Sequence, residues 1–147
     1  MEYIIRPIEK RDARDINRIR RQPGVMKHTL SMPSDRIDST EMFLNNLGKT
    51  DYIFVAECDD KVVGIAGLHL SSNPRERHIG KVGISVDVDY HDNGIGRSLM
   101  NTLLDIADNF LKLIRVELEV NVVNVKAQNL YKSLGFQIEG TRKYCCI

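Results

Sequence analysis

The sequence has no tryptophan, and only four phenylalanines and five tyrosines in 147 residues. Proteins that bind single-stranded nucleic acid stack the bases on aromatic side chains, so this scarcity argues against such a partner. Neither sign of charge dominates, because 21 Lys and Arg residues face 20 Asp and Glu residues. A net charge of +1 gives no general attraction to nucleic acid or to anionic membranes. We therefore expect any anionic ligand to be held by a local group of donors.

Cysteine, proline and long apolar runs are also scarce. Cys58, Cys145 and Cys146 lack the Cys-x-x-Cys or Cys/His spacing of a zinc site. No apolar run approaches the roughly 20 residues that cross a bilayer, and the N-terminus lacks the pattern of a secretion signal. We expect a reduced, cytoplasmic protein that uses no metal and contacts no membrane. Since no linker or repeat divides the chain, residues 1–147 are predicted to form a single domain.

The periodicity of apolar residues predicts a mixed α/β domain with the order β-αα-βββ-α-β-α-β. Strands are expected at residues 2–6, 52–58, 61–70, 79–89, 114–122 and 136–140. Helices are expected after Asp12, from Ser34 or Asp35, after Gly94, and from 125 to 134. Residues 21–33 are predicted to be irregular. Asp59 and Asp60 predict a tight turn that pairs the second and third strands antiparallel.

Two of these elements have a marked apolar face. The helix after Gly94 is expected to bury Ile95, Leu99, Leu103, Ile106, Ala107 and Phe110. The strand at 114–122 is expected to place Ile114, Val116, Leu118 and Val120 on one side.

The junction between the strand at 79–89 and the following helix carries two closely spaced glycines. Its sequence is His91-Asp92-Asn93-Gly94-Ile95-Gly96-Arg97-Ser98. Glycines let backbone N–H groups approach an anion, and a helix N-terminus adds partial positive charge, which together favour a pyrophosphate. Leu99 breaks the dinucleotide-binding pattern, and no Lys-Ser or Lys-Thr pair completes a Walker A loop. An ordinary tight turn from strand to helix would explain the same glycines.

A second motif runs from Asn124 to Phe136, with the spacing Asn-x-x-Ala-x-x-x-Tyr-x-x-x-Gly-Phe. With both motifs in this order, the sequence resembles the GNAT superfamily of N-acetyltransferases, most closely the bacterial small-amine and amino-acid acetyltransferases. The likeness extends from Ile5 to Gly140. One departure is His91, which stands where the family's first motif has Gln or Arg.

The resemblance implies a mixed, mostly antiparallel sheet flanked by about four helices, and acetyl-CoA as cosubstrate. It places the pyrophosphate on the amides from Asp92 to Arg97 and the pantetheine arm along the backbone of Val86 and Val88. A β-bulge is expected to open a V-shaped gap there. An amine would attack the thioester directly, so no cysteine nucleophile is needed. The implied cofactor-binding residues are Val86, Val88, His91, Asp92, Asn93, Gly94, Ile95, Gly96, Arg97, Ser98, Asn124 and Tyr131.

Tyr131 matches the family tyrosine that hydrogen-bonds the departing CoA sulfur, which makes it the implied catalytic residue. Asn124 is expected to contact the cofactor, to cap the following helix, or both. The base that takes the proton of the amine stays open, because Lys81 stands where some relatives carry an acid. Its candidates are Asp87, Glu117, Glu119, His69 and His78.

The expected activity is transfer of an acetyl group from acetyl-CoA to the primary amine of a small molecule, such as an amino acid or a polyamine. A protein N-acetyltransferase and a non-catalytic acyl-CoA-binding module are the alternatives. Relatives continue past the strand at 136–140 into one more strand, which this sequence is expected to lack. The resulting open sheet edge predicts a homodimer.

Overall fold

Five strands form one sheet in which each strand lies beside the next one in the sequence. This computed structural model describes residues 1–145. The strands are β1 (Ile4–Pro7), β2 (Asp51–Cys58), β3 (Lys61–Leu70), β4 (Ile79–Val86) and β5 (Arg115–Glu117). Neighbouring strands are antiparallel, except that β4 and β5 are parallel. The expected mixed, mostly antiparallel sheet is confirmed.

Five helices pack on this sheet within the described residues. They are α1 (Ala13–Arg20), α2 (Pro23–Met26), α3 (Ile37–Asn45), α4 (Ile95–Asp105) and α5 (Val125–Ser133). The short α2 lies in a segment predicted to be irregular, and Pro23 at its first position presets the helical φ angle. Among residues 1–145, no helix combines the length and the apolar character needed to cross a membrane.

The turn between β2 and β3 confirms the predicted hairpin. Asp59 and Asp60 have φ angles of 51° and 62°. Positive φ at both central residues is the geometry of a type I′ turn, which matches the twist of the paired strands.

Apolar residues are buried on both faces of the sheet. On one face the core includes Ala56, Ala66, Leu68, Val82, Leu99, Leu103 and Tyr131, contributed by the sheet, α4 and α5. On the other face it includes Ile16, Ile19, Val25, Ile53, Val55, Val62 and Ile65, with Phe43 packed against them. The sheet therefore separates an α4/α5 side from an α1/α3 side.

The apolar face predicted for α4 is correct along most of the helix and wrong at its end. Ile95, Leu99 and Leu103 are almost fully buried, but Phe110 is 73% exposed. The chain from Ile106 to Phe110 forms a wider π turn, which changes the rotation per residue. This turn carries Phe110 out of the buried face.

Three strand predictions extend too far. The strand predicted at 79–89 ends at Val86, and that predicted at 114–122 contains only Arg115–Glu117. Residues 136–140 form no strand. The physical reason is pairing: β5 has a backbone partner only along Ile79–Lys81 of β4. Ile114 precedes β5 and is 84% exposed, so it does not share the buried face expected for it.

Side chains connect residues 136–142 to the region of β5. Arg115 forms an ion pair with Glu139, and Arg142 forms one with Glu119 at 3.0 Å. These contacts place the segment near β5 without a backbone ladder.

Candidate active site

The two parallel strands β4 and β5 diverge and open a cleft in the sheet. They pair only from Ile79–Lys81 to Arg115–Glu117. Beyond this point a cavity of about 1210 Å³ is lined by residues from both faces of the sheet. The expected V-shaped gap is therefore present.

The gap does not arise from a bulge between β3 and β4. Their register is continuous from Gly64 opposite Val86 to Leu70 opposite Gly80. The irregularity in this part of the sheet lies between β2 and β3, at Ala56 and Glu57. The divergence instead begins where the β4–β5 ladder ends.

The N-terminus of α4 lies at this cleft, and its first residues line it. Gly94 precedes the helix with φ of +78°, and the first bond of the helical ladder joins the Ser98 amide to the Gly94 carbonyl at 3.0 Å. The N–H groups at the start of a helix have no partner in the ladder. Gly96 is closely packed, because a Cβ there would lie 3.3 Å from Ile84 and 3.5 Å from Leu130. Glycine at this position thus lets the start of α4 pack closely against β4 and α5.

Side-chain contacts fix the shape of this turn. The His91 imidazole nitrogen Nε2 lies 3.0 Å from the carbonyl oxygen of Val86. Lys126 forms an ion pair with Asp92 at 2.8 Å, and this contact lowers the pKa of the Asp92 carboxyl. Arg97 donates to the Ser133 hydroxyl at 2.8 Å, which links α4 to α5.

Most of the residues predicted to bind the cofactor meet in this cleft. Those that line it are Val86, Val88, His91, Asp92, Gly94, Ile95, Gly96, Arg97, Asn124 and Tyr131. Asn93 does not line it and donates to the carbonyls of Tyr90 and His91. Ser98 does not line it either, and its hydroxyl lies 2.7 Å from that of Tyr3.

A buried carboxylate anchors the end of β4. The Asp87 side chain is 0% exposed and accepts hydrogen bonds from Arg18 at 2.6 Å and Gln22 at 3.0 Å. Burial opposes ionisation of Asp87, but these bonds and one from the Asp89 amide outweigh it and lower the pKa. Gln22 also accepts from the Val88 amide at 3.0 Å. The sequence did not single out Arg18 or Gln22, since both lie far from the motifs along the chain.

Tyr131 is 8% exposed and lies on the wall of the cleft. Burial raises the pKa of its phenol to about 12. Its ring packs edge-on against Phe136, with 6.0 Å between ring centroids. No group within residues 1–145 hydrogen-bonds the Tyr131 hydroxyl, which leaves it available to a ligand in the cleft.

Asn124 caps α5. Its side-chain oxygen accepts a hydrogen bond from the Ala127 amide at 3.2 Å. Asn124 also lines the cleft, so capping α5 is compatible with the expected contact to a cofactor.

Two of the five candidate bases line the cleft, His69 and Glu119. The Nδ1 atom of His69 lies 2.7 Å from the Asp51 carboxylate, and its Nε2 lies 2.8 Å from where a Cβ on Gly67 would be. Glu119 is paired with Arg142. The other three candidates, Asp87, Glu117 and His78, do not line the cleft.

The described cysteines lie outside the cleft. Cys58 is buried in the core on the α4/α5 side, and burial raises the pKa of its thiol. Cys145 is exposed, and Cys146 lies outside the described residues.

Comparison with known sequences identifies relatives across nearly the whole chain. An L-amino acid N-acetyltransferase of Escherichia coli K12 is 37% identical over 144 residues, covering 97% of this chain and 87% of that protein. A spermidine N(1)-acetyltransferase of the same organism is 24% identical, covering 92% of this chain and 73% of that protein.

Solved structures have the same fold. An acetyltransferase of the GNAT family from Streptococcus pneumoniae superposes with a TM-score of 0.85 at 26% identity, covering 99% of this chain and 90% of that one. A spermidine N-acetyltransferase from Vibrio cholerae, solved with CoA and spermine, superposes with a TM-score of 0.80 at 27% identity, covering 94% and 82%. The family model for acetyltransferases of the GNAT family matches residues 15–136. The chain therefore belongs to the GNAT acetyltransferase family and is an N-acetyltransferase.

Proposed function

We propose that this enzyme transfers the acetyl group of acetyl-CoA to the primary amine of a small molecule, an amino acid or a polyamine. The observation that carries this proposal is the cleft, which brings the free amides of α4 and the Tyr131 hydroxyl into one gap that is open to both faces of the sheet. The activities named for the Escherichia coli relatives support it. Release of CoA with a panel of amines tests it.

The cleft has the size and donors that acetyl-CoA requires. Its volume exceeds the roughly 300–1,000 Å³ of a site for one small ligand, which leaves space for a donor and an acceptor. The amides from Asp92 to Arg97 would hold the pyrophosphate, since they surround the N-terminus of α4. The Val88 amide and the Val86 carbonyl are already engaged by Gln22 and His91. The pantetheine arm would therefore use the remaining backbone groups of Val86 and Val88.

Tyr131 would act on the sulfur that leaves. In the transfer, the amine nitrogen bonds to the thioester carbon, the carbon–sulfur bond breaks, and CoA departs with its sulfur negatively charged. A thiol has a pKa of about 8.5, so proton transfer from a phenol of pKa about 12 is uphill by roughly 5 kcal/mol. Tyr131 therefore stabilises the thiolate by donating a hydrogen bond rather than by giving up its proton.

His69 would take the proton from the amine. A primary amine has a pKa of about 10 and arrives protonated at neutral pH. The hydrogen bonds from His69 and the Gly48 amide lower the pKa of Asp51, so its carboxylate stays ionised and orients the imidazole. The charged groups around His69 are Asp51 on β2 and Lys81, its register partner on β4, with Arg20, Lys27, His28 and Asp35 along the cleft. Nε2 lies above Gly67, where no side chain separates it from the cleft.

We also propose that the protein is a cytoplasmic homodimer. Residues 118–122 and 136–140 have no strand partner among the described residues, and Val122 and Ile138 are exposed there. Unpaired backbone beside exposed apolar side chains favours association. The free thiols of Cys58 and Cys145 suit a reducing compartment. Light scattering should give twice the chain mass of 16.8 kDa, and the single mass would refute the dimer.

Replacing Gly94 by Ala should weaken acetyl-CoA binding. A Cβ is unfavourable by about 1–2 kcal/mol at a φ of +78°, so the turn relaxes and its amides lose their common direction. We expect the Kd measured by calorimetry to rise about 5- to 30-fold. Gly140→Ala is the matched control, because a Cβ there meets nothing within 4 Å. Equal Kd values for the two variants would contradict the assignment of this turn to the pyrophosphate.

Tyr131→Phe should lower kcat while acetyl-CoA binding stays within twofold of the wild type. A hydrogen bond to a charged group contributes about 1.5–3 kcal/mol, which predicts a loss of about 10- to 100-fold in kcat. Since the phenol stays protonated until about pH 12, the loss should be the same from pH 6 to pH 10. Tyr144→Phe, at a 99% exposed position, is the control. A kcat equal to that of the control would remove Tyr131 from the mechanism.

His69→Gln should change the pH dependence of kcat/KM. In the wild type His69 accepts the proton of the amine, so kcat/KM should rise less steeply with pH than in the variant. The variant needs amine that is already neutral, so its rate should keep rising about tenfold per pH unit toward pH 10. At pH 7 we expect a loss of about 100-fold or more, and a smaller loss for Asp51→Asn.

His78→Gln provides the control for this experiment, because His78 is exposed and lies away from the cleft. If His69→Gln follows the same pH profile as His78→Gln, another group takes the proton. Glu119→Gln then becomes the next variant to measure.

A further inference from the structure

Arg20, the last residue of α1, lines the cleft on the α1/α3 side of the sheet. Among the residues that the structure describes, no ion pair neutralises its positive charge. Its guanidinium carbon lies 4.7 Å from the centre of the Phe43 ring, and both residues line the cleft. Within residues 1–145, Arg20 makes no hydrogen bond or ion pair. Arg18 on the same helix binds Asp87 at 2.6 Å. Arg14 also has no described partner, but it is exposed, whereas Arg20 is half-buried.

The surroundings of Arg20 favour an anionic ligand. Burial lowers the pKa of its guanidinium, and the nearby charge of Asp35 opposes this effect without forming an ion pair. An arginine side chain nevertheless remains protonated in proteins. A half-buried cation without a hydrogen-bonding partner gains more from binding a carboxylate than an exposed one does, because part of its hydration is already lost.

Arg20 and His69 flank one apolar surface. Phe43, beneath Arg20, packs in the same cluster as Ile53 and Ile65. Ile53 in turn lies 3.4 Å from where a Cβ on Gly67 would be, beside the imidazole of His69. A ligand on this surface would meet a positive charge on one side and a proton acceptor on the other.

The carboxylates of the cleft are poorly placed to bind a second ammonium group. Asp92 is paired with Lys126, and Glu119 is paired with Arg142. Asp35 lies near Arg20, and the positive charge of Arg20 offsets the negative charge of the Asp35 carboxylate. A polyamine carries several ammonium groups and would place one of them near Arg20, where like charges repel.

We propose that Arg20 binds the carboxylate of the acceptor, and that the acceptor is therefore an amino acid rather than a polyamine. This inference rests on the proposed function, because it names the substrate class of the same cleft. Arg20 would orient the acceptor, with the amine toward His69 and the apolar part against Phe43, Ile53 and Ile65. Arg20 thus acts in specificity and takes no part in proton transfer.

The first test compares acceptors on the wild-type enzyme. CoA release is measured with a panel of L-amino acids, with the amide of each amino acid that reacts, and with spermidine. An amide keeps the amine and the side chain but loses the negative charge. We expect kcat/KM for an amino acid to exceed that for its amide by about 10- to 100-fold, as for a lost charged hydrogen bond. Spermidine should react more slowly than the amino acid.

The second test replaces Arg20 by Met, which keeps an unbranched apolar stem over Phe43. KM for the amino acid should rise about 10- to 100-fold, and KM for the amide should change less than twofold. Arg20→Lys keeps the charge and should recover part of the loss. Arg14→Met is the matched control, since Arg14 lies on the same helix but beside a different cavity. Lys27→Met tests the exposed cation that also lines the cleft.

The outcomes separate this inference from the proposed function. No CoA release with any amine would refute the function itself. Release with equal kcat/KM for amino acid and amide, or a preference for spermidine, would overturn the role of Arg20 and leave the function standing. An equal rise in KM for the amino acid and for its amide in Arg20→Met would show that Arg20 only supports the position of Phe43. If KM for the amino acid, but not for its amide, rises in Lys27→Met instead, Lys27 rather than Arg20 binds the carboxylate. If Arg20→Met does not fold, as judged by acetyl-CoA binding, the wild-type comparison decides.

Discussion

The active cleft depends on the short length of the ladder between β4 and β5. Parallel strands held together along their whole length would leave no space in the sheet, and strands without any ladder would not be held in one sheet. Pairing limited to Ile79–Lys81 and Arg115–Glu117 satisfies both requirements. It leaves the later residues of β4 without a neighbour on that side, and the turn that follows them leads to α4 at Ile95. The free amides of the helix, the strand backbone and Tyr131 therefore meet in one place.

The buried charges around Asp87 keep this arrangement rigid. Asp87 joins Arg18 and Gln22 of the N-terminal helical region to the end of β4, and Gln22 continues the network to the Val88 amide. Removing one partner of such an ion pair is strongly destabilising, because it leaves a buried charge unpaired. The side of the sheet that carries α1, where the proposed acceptor would bind, is thus tied to the side that would hold the cofactor. The bond between Arg18 and Asp87 also helps to fix the position of Arg20, because both arginines lie at the end of α1.

The near-zero net charge is consistent with an enzyme that handles charged substrates locally. The pyrophosphate would be met by backbone amides and a helix N-terminus, which add no formal charge. Individual side chains supply the remaining electrostatics, and several are paired: Lys126 with Asp92, Asp51 with His69, and Arg142 with Glu119. Within residues 1–145 the half-buried Arg20 has no such partner, and the proposed acceptor would supply one.

The sequence predicted the features that depend on local spacing. The Asp59-Asp60 hairpin, the start of α4 at Gly94, the cap at Asn124 and the buried positions of Ile95, Leu99 and Leu103 follow from turn chemistry and helical periodicity. It overestimated the strands at 79–89, 114–122 and 136–140, because a strand exists only where another backbone pairs with it. It also placed Phe110 in the core, since periodicity does not reveal the π turn that rotates this residue outward.

The residues proposed to bind the cofactor lie mostly in two continuous motifs, and for that reason the sequence alone could predict most of them. The proposed acceptor site has no such motif. His69, Asp51 and Arg20 lie on β3, β2 and α1, and only the folded sheet and the helix packed on it bring their side chains to one surface. The sequence left five candidate bases, and tertiary structure separated them by burying Asp87 in an ion pair and by leaving Glu117 and His78 outside the cleft. Spacing along the chain thus predicted the family, whereas three-dimensional packing decided which charged groups meet in the cleft.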